Sequence, residues 1–163
     1  MNQQPPNFRR PQLIISGGQI GVDRAALDVA LALGIEHGGW CPQGRRAEAG
    51  RIPEHYRLRE TSSPRYAVRT RRNVDEADAT LIIAPSPLTG GTRLTYDYAV
   101  ETGKPCLVID PADPEAVDKA RAWLAMLPSA ADGRCTLNIA GPRESQVPGI
   151  SAEAQRIVRA ILE

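Results

Sequence analysis

Two glycine-bearing segments hold the residues with the most chemical promise. Residues 16–21, Ser-Gly-Gly-Gln-Ile-Gly, follow the apolar Leu13-Ile14-Ile15 and open an amphipathic stretch. Residues 89–92, Thr-Gly-Gly-Thr, stand in the same way after Leu81-Ile82-Ile83-Ala84. A strand that ends in glycines and feeds a helix brings free backbone N–H groups and a positive helix terminus to one spot, which suits a phosphate or another small anion. Two such turns predict one long anionic ligand, or two anionic groups, along one edge of a sheet. In the first turn the candidate contacts are Ser16, Gly17, Gly18, Gln19, Gly21 and Asp23. A plain turn needs neither the amide of Gln19 nor the carboxylate of Asp23. In the second they are Thr89, Gly90, Gly91 and Thr92. There the glycines admit a close approach of backbone, and the Thr92 hydroxyl suits a helix cap, an anion, or both. A third turn, Gly141-Pro142-Arg143-Glu144, adds Gly141 and Arg143.

Arginine is concentrated between Arg45 and Arg72, where nine arginines face three acidic residues in a chain of net charge +1. That excess describes either a solvated, salt-bridged surface or a lobe over an anion site, because arginine makes forked contacts to phosphate. Arg69, Arg71 and Arg72 lie on a stretch with helical character, and one of them can reach the sheet edge. Other chemistries lack their residues. Ser16 takes the first glycine position of a G-x-G-x-x-G fingerprint, and no Gly-Lys-Ser/Thr follows as a phosphate-cradling P-loop requires. Glu36 lies near the distance for a ribose-binding acid, but at the start of a weak strand. His37 and His55 have no partners at hydrogen-bonding spacing. No Ser/His/Asp set, Cys/His set or carboxylate pair is visible. Cys41, Cys106 and Cys135 are widely spaced, which excludes a structural zinc motif and fits a reducing cytoplasm. Cys41, between Trp40 and Pro42, reads as a buried inert thiol, and the other two as core positions.

The elements that must carry these residues follow from periodicity. Residues 13–15 read as a buried strand. Val22, Ala25, Ala26, Val29, Ala30 and Leu33 form one helical face that Gly34 ends. Residues 35–40 form a weak strand broken by Gly38-Gly39, and 41–63 show no regular element. A helix over 65–77, a strand over 80–84 and a helix capped by Thr92 and stopped at Gly103 come next. A strand over 106–109 leads to a helix capped by Asp113, with Val117, Ala120, Leu124 and Leu127 buried. A strand over 136–140 and a helix capped by Ser151, with Ala154, Ile157, Val158 and Ile161 inward, complete the chain. Strands alternating with helices predict a doubly wound, mainly parallel α/β sheet of about five strands. Ligands of such sheets bind at the carboxyl ends of the strands, where the three turns fall.

Composition agrees. A chain of 163 residues makes one domain, expected over 13–163 after a loose polar tail over 1–12. Aromatics are only 4%, so the core must be aliphatic, as in a covered parallel sheet. The same scarcity speaks against a base-stacking platform for single-stranded nucleic acid. A near-zero net charge gives no field toward nucleic acid or membrane. No apolar run reaches transmembrane length, and the first residues carry no apolar signal core. A cytoplasmic protein is therefore expected.

The motifs resemble those of the family called putative molybdenum carrier proteins, within the SLOG superfamily of Rossmann-like ligand binders. The matching stretches are Ile14-Ile15-Ser16-Gly17-Gly18-Gln19 with Gly21-Val22-Asp23-Arg24-Ala25-Ala26-Leu27-Asp28, and Gly38-Gly39-Trp40-Cys41-Pro42 with Gly44-Arg45-Arg46. Arg72-Asn73-Val74, Pro87-Leu88-Thr89-Gly90-Gly91-Thr92 and residues 138–144 complete the set. The resemblance runs over about residues 13–163. Ile20 stands where the family pattern has threonine, so a hydroxyl contact is lost there. The resemblance implies a Rossmann-like fold, with Arg45, Arg72 and Asn73 added to the site. It also implies the molybdenum cofactor as cargo, a phosphate-bearing pterin with a dithiolene-held molybdenum. It further implies a homo-oligomer (dimer or tetramer) and a molybdoenzyme acceptor. The wider superfamily holds phosphoribohydrolases with the motif P-G-G-x-G-T-x-x-E. This chain keeps Pro87, Gly91 and Thr92 of it, and the glutamate falls on Thr95, two residues before Asp97. Threonine cannot supply that carboxylate. A non-catalytic binder is the leading expectation, with a nucleotide or ADP-ribose-type sensor or an N-glycosidase as alternatives.

Overall fold

The computed structural model describes residues 9–128 and 131–163. The tail expected over 1–12 lies outside the described residues as far as residue 8. Beyond it Pro11 is buried, and the backbone N–H of Gln12 donates to the Cys135 carbonyl at 3.1 Å.

The described residues form nine strands and five α-helices. They run β1 (Leu13–Ile15), α1 (Val22–Leu33), β2 (Glu36–Gly38), β3 (Trp40–Cys41), β4 (Arg46–Ala47), β5 (Gly50–Arg51), β6 (Arg59–Glu60) and α2 (Tyr66–Glu76). Then come β7 (Ala79–Ile83), α3 (Gly90–Glu101), β8 (Cys106–Ile109), α4 (Ala116–Met126), β9 (Thr136–Ala140) and α5 (Ile150–Leu162). Five strands form one sheet in the order β2-β1-β9-β7-β8, and every neighbouring pair is parallel. Helices α1 and α4 pack on α5, and α2 packs on α3. This is the doubly wound Rossmann-like arrangement that the alternation predicts. All five residues of β7 are buried, as a central parallel strand covered on both faces requires. The main core joins Ile14, Leu81, Ile83, Leu137 and Ile139 of the sheet to the apolar stripes of α1, α4 and α5.

Three helix starts differ from the sequence expectation. Thr89, not Thr92, is the N-cap residue of α3, and Thr92 is buried one turn in. Gly149 stands at the N-cap of α5. There the Glu144 carboxylate, not Ser151, accepts the N–H groups of Gly149 (2.7 Å) and Ser151 (3.1 Å). An acidic group at that end also complements the helix dipole. Helix α4 begins at Ala116, with Glu115 at its N-cap, and Asp113 accepts the Glu115 N–H at 2.9 Å in the turn before it.

The segment over 41–63, which shows no regular element in sequence, is built around one buried arginine. Arg45 donates from Nε to the Ile52 carbonyl, from Nη1 to Leu58, and from Nη2 to Pro53 and Tyr56, at 2.7–3.2 Å. Strands β4 and β5 form an antiparallel hairpin, and β3 pairs with β6. Leu27, Cys41, Ala47, Ile52 and Tyr56 fill a satellite core beneath them. Each fragment is only two residues long and carries no readable period, so the buried guanidinium supplies the organisation that local pattern lacks.

Candidate functional site

Strands β1, β9 and β7 are adjacent, so the turns leaving their carboxyl ends converge. Between them opens a cleft of about 180 Å³, or 670 Å³ counting the open solvent at its mouth; its enclosed part is smaller than most small-molecule sites, so a ligand would extend out of it. Its wall is formed by Gln19 and Asp23 from the first turn, Tyr66 and Arg69 from α2, Gly91, Thr92 and Thr95 from α3, and Gly141, Arg143 and Gln146 after β9.

The two glycine turns, similar in sequence, differ in space. The first is closed by its own chain. The Val22 N–H donates to the Pro142 carbonyl at 3.3 Å, and Glu144 N–H to the Ile20 carbonyl at 2.9 Å. The Asp23 carboxylate accepts the Gln19 N–H at 3.3 Å and lies 3.5 Å from Nη1 of Arg69. Gly17 has no side chain because the Arg69 guanidinium crosses it, and a Cβ there would collide with Nη1. Burial pushes the Asp23 carboxyl above its ordinary range, against the pull of Arg69. The acidic group held at this turn is thus the protein's own. Gly18 and Gly21 pack against Leu58 and the Pro142–Arg143 backbone, and the Ser16 hydroxyl donates to the Ile139 carbonyl at 2.6 Å.

The second turn is open. Gly90 and Gly91 are exposed, and a Cβ at Gly91 would meet nothing within 4 Å. The first turn of α3 leaves backbone N–H groups without intrahelical partners and turns the positive end of its dipole toward the cleft. Facing it are the arginines around Tyr66. The guanidinium carbons of Arg46 and Arg143 each lie 4.5 Å from the ring centroid, and that of Arg69 lies 5.8 Å away. Arg143 also donates to Glu48 Oε1 at 2.9 Å, and the Ser145 hydroxyl to Oε2 at 2.7 Å. These two bonds hold the Glu48 carboxyl below its ordinary range. The result is a donor-rich cleft suited to an anion.

The sequence candidates therefore divide. Gln19, Asp23, Gly91, Thr92, Gly141 and Arg143 meet at the cleft. Arg45 does not, since its guanidinium is spent on loop carbonyls. Arg72 lies over the Trp40 ring at 4.7 Å. Asn73 pins Trp40 by accepting its N–H (2.8 Å) and donating to its carbonyl (3.0 Å). The cleft arginine of α2 is Arg69, and Tyr66, Gln146 and the hairpin's Glu48 were not singled out in the sequence. The signal for α2 was available: Tyr66, Arg69, Thr70 and Asn73 share one face at helical spacing, whereas Arg72 lies off it. Thr95, at the phosphoribohydrolase glutamate position, donates its hydroxyl to the Gly91 carbonyl at 2.9 Å. Asp97 is exposed and paired with Arg93.

The model of the circularly permutated YpsA SLOG family matches residues 14–162. The chain belongs to that family. A crystal structure of a putative molybdenum carrier protein from Syntrophus aciditrophicus SB is 41% identical, covers 95% of this chain and 98% of its own, and superposes with a TM-score of 0.85. No curated protein matches the sequence. Among the described residues no group of three His, Cys, Asp or Glu side chains could hold a metal ion, and no helix is long and apolar enough to cross a membrane.

Proposed function

We propose that this SLOG-family chain is a non-catalytic carrier of a phosphate-bearing anionic molecule, and that the molecule is the molybdenum cofactor. The observation that carries this reading is the open first turn of α3 at Gly91 and Thr92, which faces Arg69 and Arg143 across one cleft. A phosphate there would receive backbone N–H groups, the helix dipole and a forked guanidinium contact. The cargo's identity rests on the 41% identical molybdenum carrier. With no metal-ligating cluster among the described residues, the metal would travel on its own dithiolene, and the arginines would face its anionic oxo end. The absence of catalysis rests on Thr95 at the glutamate position and on Asp97 turned outward to Arg93. Among the described residues the one carboxylate lining the cleft, Asp23, is engaged by Arg69 and the Gln19 N–H. Delivery to a molybdoenzyme and assembly as a dimer or tetramer in the cytoplasm belong to the same reading.

The test is native mass spectrometry of protein purified gently from cells that make molybdenum cofactor, with metal analysis of the same sample. The expected result is a molybdopterin-sized increment and stoichiometric molybdenum. A nucleotide increment without molybdenum, or release of adenine from AMP by the purified protein, would overturn the carrier reading.

A further inference from the structure

Two polar atoms of the cleft wall have no hydrogen-bond partner: the amide oxygen Oε1 of Gln19 and the guanidinium Nε of Arg69. Gln19 is 3% exposed. Its Nε2 donates to the Arg46 carbonyl at 2.9 Å. That bond fixes the amide, because rotation by 180° would set oxygen against oxygen. Oε1 is therefore held as an acceptor that only a donor can satisfy. The Asp23 carboxylate lies at the same end, since Asp23 and Gln19 share the first turn and a hydrogen bond. Covered polar atoms without partners are rare in folded proteins, and a site built to hydrogen-bond a group rejects analogues that lack it.

The cleft is consequently two-ended. At the α3 end it offers donors to an anion, and at the Gln19 end it offers an acceptor beside a carboxylate. Molybdate presents only acceptors, so it suits one end and leaves the Gln19 oxygen unsatisfied at the other. We propose that Gln19 is a specificity-determining residue. Its amide oxygen reads an N–H donor on the ligand's head group, and the cleft thereby takes an organic phosphate whose ring edge carries an N–H and discriminates against bare oxyanions such as molybdate. The unpartnered Arg69 Nε is a second unsatisfied polar atom of the same wall, a donor open to an acceptor on the ligand. This inference rests on the anion-binding reading above and adds to it the chemistry of the other end of the ligand.

Three probes separate the terms: GMP, purine riboside 5′-monophosphate and sodium molybdate. The second keeps the phosphate and ring shape of a nucleotide but has no exchangeable ring N–H. Isothermal titration of the wild-type protein is expected to give GMP at least roughly tenfold tighter than either of the others, the scale of one unsatisfied buried partner. Gln19→Met should lower GMP affinity to that of the purine riboside nucleotide. Because the first comparison uses only the wild type, it stands even if the variant folds poorly. Equal binding of the two nucleotides, or molybdate binding as tightly as GMP, would overturn the role of Gln19 while leaving the phosphate site intact. Failure of every phosphate probe would overturn the anion site and this inference together.

Discussion

The two glycine turns should respond to the same substitution in opposite directions. Gly91 is the second residue of α3 and its φ is not positive. An added Cβ meets nothing within 4 Å. Gly91→Ala should therefore fold as well as the parent, or gain up to about 1 kcal/mol from helix propensity. Gly91→Leu should keep that stability but place its side chain over the open N–H groups and in the cleft. A phosphate ligand would then lose the helix-terminus contact, worth up to about 2 kcal/mol, and steric access besides, so affinity should fall by at least roughly tenfold. Gly21 sits at φ 138, and a Cβ there would collide with Arg143 and with the N of Glu144 at 2.9 Å. Left-handed strain of about 1–3 kcal/mol and overpacking of similar size add up to about 2–6 kcal/mol. At about 2–4 °C per kcal/mol for a domain of this size, Gly21→Ala should melt roughly 10 °C lower. Differential scanning calorimetry reads the stability, and titration with a nucleoside monophosphate reads the binding. Unchanged affinity in Gly91→Leu would refute the placement of the phosphate. A melting temperature of Gly21→Ala within about 2 °C of the parent would refute the close-packed account of the first turn.

Arg143→Met should weaken any phosphate ligand by tenfold or more, read by the same titration. Glu48→Gln, which removes the internal carboxylate from Arg143, should strengthen phosphate binding severalfold; a weaker complex would show that Glu48 supports the site rather than competing for it. The folded Glu48 pKa lies below its ordinary 4.5. Its latch is thus complete above that value and is lost as pH falls through the lowered pKa, which carbon-detected NMR of the side chain will follow. Arg45→Met strips four carbonyls of their donor. It should cost at least about 3 kcal/mol and expose residues 41–63 to limited proteolysis; a protease-resistant variant would contradict the organising role. The Tyr56 phenol donates to Asp28 at 2.6 Å, and burial with that bond pushes its ionisation up to about 12. Because the folded value lies above the unfolded one, this group supports folding below pH 10 and loses that contribution as pH rises through 12. Ultraviolet titration should lose its last-ionising tyrosine in Tyr56→Phe.

The main sheet was legible in the sequence because its strands are continuous aliphatic runs and its helices carry clean stripes. Residues 136–140 and 22–33 fall where periodicity puts them. Helix caps were less legible, because Glu144 reaches the start of α5 from across a turn, and a side chain's reach leaves no local period. The cleft was half legible. Composition singles out Gly91, Gln19 and Arg143, but nothing local distinguishes an open glycine turn from one filled by Asp23 and Arg69. Arg45 misleads for the same reason: a loop arginine that binds phosphate and one that binds carbonyls look alike until the loop is folded.

Strand β9 lies at the middle of the sheet although it is the last strand in the sequence. As the chain leaves the ribosome, β1 with β2 and β7 with β8 can form two separate ribbons, but no strand pairing joins them until residues 136–140 have been made. Each ribbon until then shows an unpaired aliphatic edge, the form of surface that invites pairing with other chains. The decisive pairings span up to 123 residues between β1 and β9, so closure comes late and slowly relative to synthesis. A nascent chain stalled before residue 136 should be a chaperone client and an aggregation hazard, whereas one in which β9 and α5 have emerged can close the sheet and assemble the cleft in the same step.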